Sequence, residues 1–123
     1  MELYGREYKF RLTVGAACDI ADRCGGDLKH YSELLSNESF AGASEGRAAF
    51  ICALSRGEEE ARSFEEPGYR PEPLTPELLR TLDIVTFGEV LGEAITAFAD
   101  GLQTTVGVAP AKKNGVGAEK TSR

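Results

Sequence analysis

Tyr8, Phe10, Leu12 and Val14 alternate with Lys9, Arg11 and Thr13, a period of two that puts one apolar face on an extended strand. Leu3 and Tyr4 precede this run across Gly5-Arg6-Glu7, where Gly permits a tight reversal, so a small antiparallel hairpin over residues 2–14 is predicted. At Gly15 the period changes. Ala17, Ile20, Ala21 and Cys24 recur at helical spacing, and Gly25-Gly26 supplies a stop. Asp27 then caps a short helix carrying Leu28, Tyr31, Leu34 and Leu35.

Ser36 to Ala43 is polar and predicts a connector. The spacing of Phe50, Ala53/Leu54, Gly57, Ala61 and Phe64 predicts a helix over Ser44 to Phe64, with Glu58, Glu59 and Glu60 on its outer side. Gly57 inside it marks a place for a bend. Glu65 to Pro73 holds three prolines and predicts a loop. Thr75-Pro76-Glu77 is a helix start, since Thr caps, Pro fits the first turn and Glu suits the positive end. Leu78, Leu79 and Leu82 follow.

Thr86-Phe87-Gly88-Glu89 has capping-box spacing and opens a last helix with Phe87, Val90, Leu91, Ala94, Ile95 and Phe98 on one face, ending at Gly101. Beyond it large apolar residues almost vanish, which predicts a disordered tail. The fold class is therefore mainly α with a short N-terminal β-hairpin (α+β). It is one small domain over 1–102, followed by a flexible basic tail over 103–123.

Composition narrows what such a domain does. A chain of 123 residues with 41% hydrophobic positions supports one core. The formal net charge of -6 divides unevenly, with 10 basic and 19 acidic residues up to Ala111, then four basic and one acidic from Lys112. An acidic body repels phosphate backbones, which argues against a nucleic-acid partner. The longest apolar run, Ala48 to Leu54, is seven residues, against the roughly 20 that span a bilayer. With no signal peptide visible at Met1 and an odd number of cysteines, three, the expected location is the cytoplasm.

Chemistry is sparse. His30 is the single histidine, and Cys18, Cys24 and Cys52 lack C-x-x-C spacing, so no catalytic residue, metal site or cofactor is predicted. Gly115 to Thr121 ends in Lys-Thr like a phosphate-binding loop, but Glu119 stands where Gly is needed. Glu58-Glu59-Glu60 and Glu65-Glu66 are expected to be solvated runs rather than acid/base pairs. Gly88 and Gly92 clear a strip of the last helix; tight packing within the domain is the expected reason, and a docked partner the other.

Gly5-Arg6-Glu7-Tyr8-Lys9-Phe10-Arg11-Leu12-Thr13-Val14-Gly15-Ala16, followed by a helix ending in a Gly pair, resembles the opening of tail assembly chaperones of long-tailed phages and prophages. Leu74-Thr75-Pro76-Glu77-Leu78-Leu79 and the final amphipathic helix resemble the C-terminal half of some members. The resemblance implies a small, acidic, helical protein without enzymatic activity in the bacterial host cytoplasm. Its implied partners are the tape-measure protein, which such chaperones keep soluble, and the tail tube protein that polymerises around it. Family members are often made in two lengths by a reading-frame slip, for which Ala111-Lys112-Lys113 is the candidate position.

The alternative function is a structural adaptor or head–tail completion protein that forms a homo-oligomer. Candidate partner-binding residues are Phe87, Val90, Leu91, Ile95 and Phe98, together with the hairpin's outer edge, whose exposure would favour self-association.

Overall fold

A computed structural model describes residues 1–106, with the side chains of 1–103. The fold is mainly helical with a short hairpin at its start, as the patterning predicts. Strands β1 (Glu2–Leu3) and β2 (Arg6–Glu7) pair antiparallel, Glu2 opposite Glu7 and Leu3 opposite Arg6. Tyr4 and Gly5 both take positive φ, +52° and +80°, which gives the two-residue turn the twist that hairpins favour.

The ladder is much shorter than the alternation suggests. Residues 8–13 continue without strand pairing and lie against α-helical neighbours instead: the Arg11 N–H donates to the Leu54 carbonyl at 3.1 Å, and the Thr13 N–H turns back to the Arg11 carbonyl at 3.2 Å. Tyr8 is buried and Phe10 and Leu12 are packed against the core, so the predicted face is real as far as Leu12. Val14 departs from it, 82% exposed at the start of the first helix.

Helix α1 (Val14–Asp22) is capped by the Thr13 side chain, which accepts from the Ala16 N–H at 3.1 Å, and buries Ala16 and Ile20. Gly25 and Gly26 follow at φ +73° and +93°, the left-handed geometry that stops a helix. The Asp27 carboxylate accepts from the Lys29 N–H at 3.0 Å and starts a 3₁₀ turn, Leu28–His30, that leads directly into α2 (Tyr31–Leu35).

Helix α3 (Phe40–Glu65) is the central element, packed against α1, α2, α4 (Pro76–Leu79) and α5 (Ile84–Val106). It begins four residues before the expected Ser44, because Ser39 is the cap and accepts from the Gly42 N–H at 3.0 Å. Gly57 does not bend it. A Cβ there would run into the Arg11 carbonyl oxygen and sit 2.9 Å from Thr13 Oγ1, so the glycine admits the N-terminal segment against the helix. Gly101 does the same on α5, where a Cβ would lie 2.6 Å from Leu12 Cβ.

Phe50, Phe98 and Tyr31 form the aromatic centre of the core, with ring centroids of Phe50 and Phe98 5.1 Å apart and those of Tyr31 and Phe98 4.7 Å apart. Thr75 caps α4 as its sequence indicates, accepting from the Leu78 N–H at 3.2 Å. The last helix differs from expectation at both ends. Asp83, not Thr86, provides the cap, accepting from the Thr86 N–H at 2.8 Å, and the helix starts at Ile84. It also runs past Gly101 to Val106, so residues 103–106 are helix rather than tail. The expected disorder of the tail, the rejected loop at Gly115 to Thr121 and the Ala111-Lys112-Lys113 position lie outside the described residues.

Candidate functional site

The buried side of α5 is made by Val90, Ala94 and Phe98, which are at most 1% exposed, with Phe87 and Leu91 packed partly buried beside them. Four of the five residues picked as a partner surface are thus wholly or partly occupied by the core. Val90 and Phe98 are sealed, and Ile95, 36% exposed, is the member that faces outward. Helical patterning selected the apolar side without distinguishing core from surface.

A second apolar side was missed. Ile84 and Val85 are 75% and 73% exposed, and with Gly88, Gly92, Ile95 and Ala99 they make an outer face free of charge. From Ile84 to Ala99 it extends ~22 Å along the helix. Placing the helix start at Thr86 cut Ile84 and Val85 away from the pattern. The signal was nonetheless present, because Ile84, Val85, Gly88, Gly92, Ile95 and Ala99 share one side at helical spacing next to the buried stripe, leaving only a narrow polar side at Glu89, Glu93 and Asp100.

Gly88 and Gly92 do not serve tight packing within the domain. A Cβ added at either position meets no atom within 4 Å. Each therefore weakens the helix by ~0.5–1 kcal/mol relative to Ala with no compensating approach from the chain's own described residues.

Beside Gly92 the surface carries charge of both signs, with Lys9 and the Met1 amine lining the same groove as the carboxylates. Glu89, Glu93 and Asp100 flank an open groove of about 650 Å³ between α5 and the N-terminal segment, with Tyr8, Phe10 and Ala97 among its apolar lining. Glu7 lies across from them, its carboxylate 2.5 Å from the Met1 amine, which also sits 3.4 Å from Glu93. From Ile84 to Val106 the helix carries no Lys or Arg.

The acidic run on α3 is not the solvated face expected of it. Glu59 is 1% exposed and Glu58 7%. The Glu59 Oε1 atom accepts from Arg6 Nη2 at 3.0 Å, the Tyr69 hydroxyl at 2.7 Å and the Glu72 N–H at 2.9 Å. Burial opposes its charge, but the Glu72 N–H, the Tyr69 hydroxyl and Arg6 together outweigh that and hold its carboxyl below the usual range. Arg11 bridges Glu58 at 2.9 Å and Glu65 at 2.8 Å. These pairs tie the N-terminal segment and the proline-containing loop to α3. Ser55, fully buried, adds a third tie by accepting from the Leu74 N–H at 2.9 Å. Every carboxylate oxygen in the cluster that is named here faces a cation or a donor, so the cluster is a fastening.

His30 is half-exposed at the end of the 3₁₀ turn, its Nδ1 3.3 Å from Glu33. Burial pushes the Cys52 thiol up to about 11 and raises that of Cys24, and a thiol kept protonated is a poor nucleophile. Cys18 is exposed. Among the described residues no group of three or more His, Cys, Asp and Glu is arranged to hold a metal ion, and no helix is long and apolar enough to cross a membrane. Comparisons with protein-family models, with curated proteins and with solved structures find no match.

Proposed function

We propose that the chain is a non-enzymatic tail assembly chaperone of a phage or prophage, working in the bacterial host cytoplasm. It binds the tape-measure protein, keeps it soluble and assists the tail tube to assemble around it. The outer face of α5 carries this reading: Ile84, Val85 and Ile95 are exposed around two helix-interior glycines that the domain itself does not use. A long helical client with apolar surface fits such a strip by laying one of its own helices along it, and the glycines let the two backbones approach closely. The resemblance of Gly5 to Ala16 to the opening of this family supplies the identity of the client.

Co-expression with the longest helical, tape-measure-like chain encoded beside this gene tests the reading. The client is expected to move from pellet to soluble fraction and to co-purify, and Val85→Asp is expected to return it to the pellet. A client that stays insoluble and unbound, while this chain alone forms a defined ring or dimer, overturns the reading and makes the structural adaptor the better account.

A further inference from the structure

The N-terminal segment and the proline-containing loop meet over α3, and part of what holds each of them is the other. Glu59 Oε1 takes Arg6 from the segment, and the Tyr69 hydroxyl and the Glu72 N–H from the loop. Arg6 also reaches the loop directly, with Nη2 donating to the Tyr69 hydroxyl at 3.2 Å and Nη1 lying 3.1 Å from the Glu72 carboxylate. In the hairpin turn the Tyr4 hydroxyl stands 2.7 Å from Thr81 Oγ1, just beyond α4. We propose that residues 1–13 and the loop over residues 66–75 form one strap across α3, which opens and closes as a unit while α3 and α5 stay folded.

Neither piece can leave without loosening the other. A loop that lifts takes Tyr69 and Glu72 away from Arg6 as well as from Glu59. A segment that lifts takes the Arg6 cation from a carboxylate that is 1% exposed, and a charge so placed is costly without its partner. Bonds in such a network reinforce one another, so a state with both pieces open competes well against a state with one. Two backbone donors pin the pieces to neighbouring residues of α3, the Arg11 N–H to the Leu54 carbonyl and the Leu74 N–H to Ser55 Oγ. Release of the strap therefore frees one stretch of α3 from both sides. Each piece also has anchors of its own. Arg11 pairs with Glu58 and Glu65, and Arg62 lies 4.4 Å from the centre of the Tyr69 ring. The segment's contacts with α5, the Met1 amine beside Glu93 and Leu12 beside Gly101, break with it.

Native-state hydrogen exchange on the full chain, read at single amides across a urea series, tests this. The Arg11 and Leu74 N–H groups are the reporters, because each is bonded to α3 outside the cluster of Arg6, Glu59 and Tyr69. Both are expected to exchange through one opening, with the same urea slope, and that slope should be smaller than the slope at Ala94 on the buried side of α5. Tyr69→Phe touches the loop's side of the cluster alone and is expected to speed Arg11 and Leu74 alike, by roughly tenfold. Arg6→Met touches the segment's side alone and should do the same. Unequal urea slopes at Arg11 and Leu74 overturn the inference. So does a slope at both equal to that at Ala94, which would make the opening the unfolding of the whole body. A Tyr69→Phe effect confined to Leu74, or an Arg6→Met effect confined to Arg11, makes the two pieces independent and overturns it as well. The slopes of the unaltered chain decide the matter even where a variant fails to fold.

Discussion

Replacing both Gly88 and Gly92 with alanine is expected to make the protein more stable. A glycine inside a helix costs ~0.5–1 kcal/mol relative to alanine, because the unfolded chain loses more freedom when it orders. Whether that gain is realised depends on the space the new methyl group enters. At both positions a Cβ meets no atom within 4 Å, and both residues are exposed, so no steric term opposes the gain. They lie four and eight residues inside the helix start at Ile84, clear of the fraying end. The double variant should therefore gain about 1–2 kcal/mol, which for a domain of this size raises the melting temperature on the order of 5–10 °C. Urea unfolding followed by far-ultraviolet circular dichroism measures it. The midpoint should rise while the slope stays constant, since the area exposed on unfolding is unchanged. A fall in the midpoint would refute the reasoning, because it would mean that the outer face of α5 is already covered in the free protein.

The opposite sign is expected for Gly57→Ala. Its methyl group meets the Arg11 carbonyl and Thr13, and the loss should be about 1–3 kcal/mol in the same assay. Glu59→Ala strands Arg6, the Tyr69 hydroxyl and the Glu72 N–H and should cost about 3–5 kcal/mol. Glu59→Gln keeps an oxygen acceptor for those donors and should cost clearly less, so equal losses would show that charge rather than acceptance matters there. Because the folded protein holds the Glu59 carboxyl below its ordinary value, the unfolded chain binds its proton first. That contribution is full above the unfolded value of about 4.3 and is lost as pH falls from there through the folded value; chemical denaturation between neutral and acid pH should show the decline weaken in Glu59→Gln. Finally, Cys18 should react with Ellman's reagent in the native state, while Cys52, buried and with its thiol pushed up to about 11, should react on unfolding. Labelling of Cys52 in the native state, located by mapping the modified residue, would contradict this.

Local chemistry was legible wherever the cause is local. Thr75-Pro76 and Gly25-Gly26 set their helix ends with groups a few residues away, and both stand where the sequence places them. Glu58 and Glu59 were misplaced because what permits their burial is distant: Arg11 and Arg6 lie 47 and 53 residues away. A carboxylate without a visible partner is reasonably assigned to water. Gly57 was misread for the same reason, since propensity registers the weakness of glycine in a helix and not the backbone that presses on it. Two errors at helix starts came from rival caps. Ser39 and Ser44 both precede plausible first turns, as do Asp83 and Thr86, and in each case the earlier residue makes the bond. The outer face of α5 followed from one of these errors, because a helix begun at Thr86 leaves Ile84 and Val85 in a loop.

The meeting of Leu12 with Gly101 also has a meaning for synthesis. A segment near the beginning of the chain receives its cover from a residue near the end of the last helix, so a growing polypeptide cannot complete this body until α5 has left the ribosome. The described residues, 1–106, all precede Ala111. A translation product that changed reading frame at Ala111 would therefore share every residue before that position with one that did not.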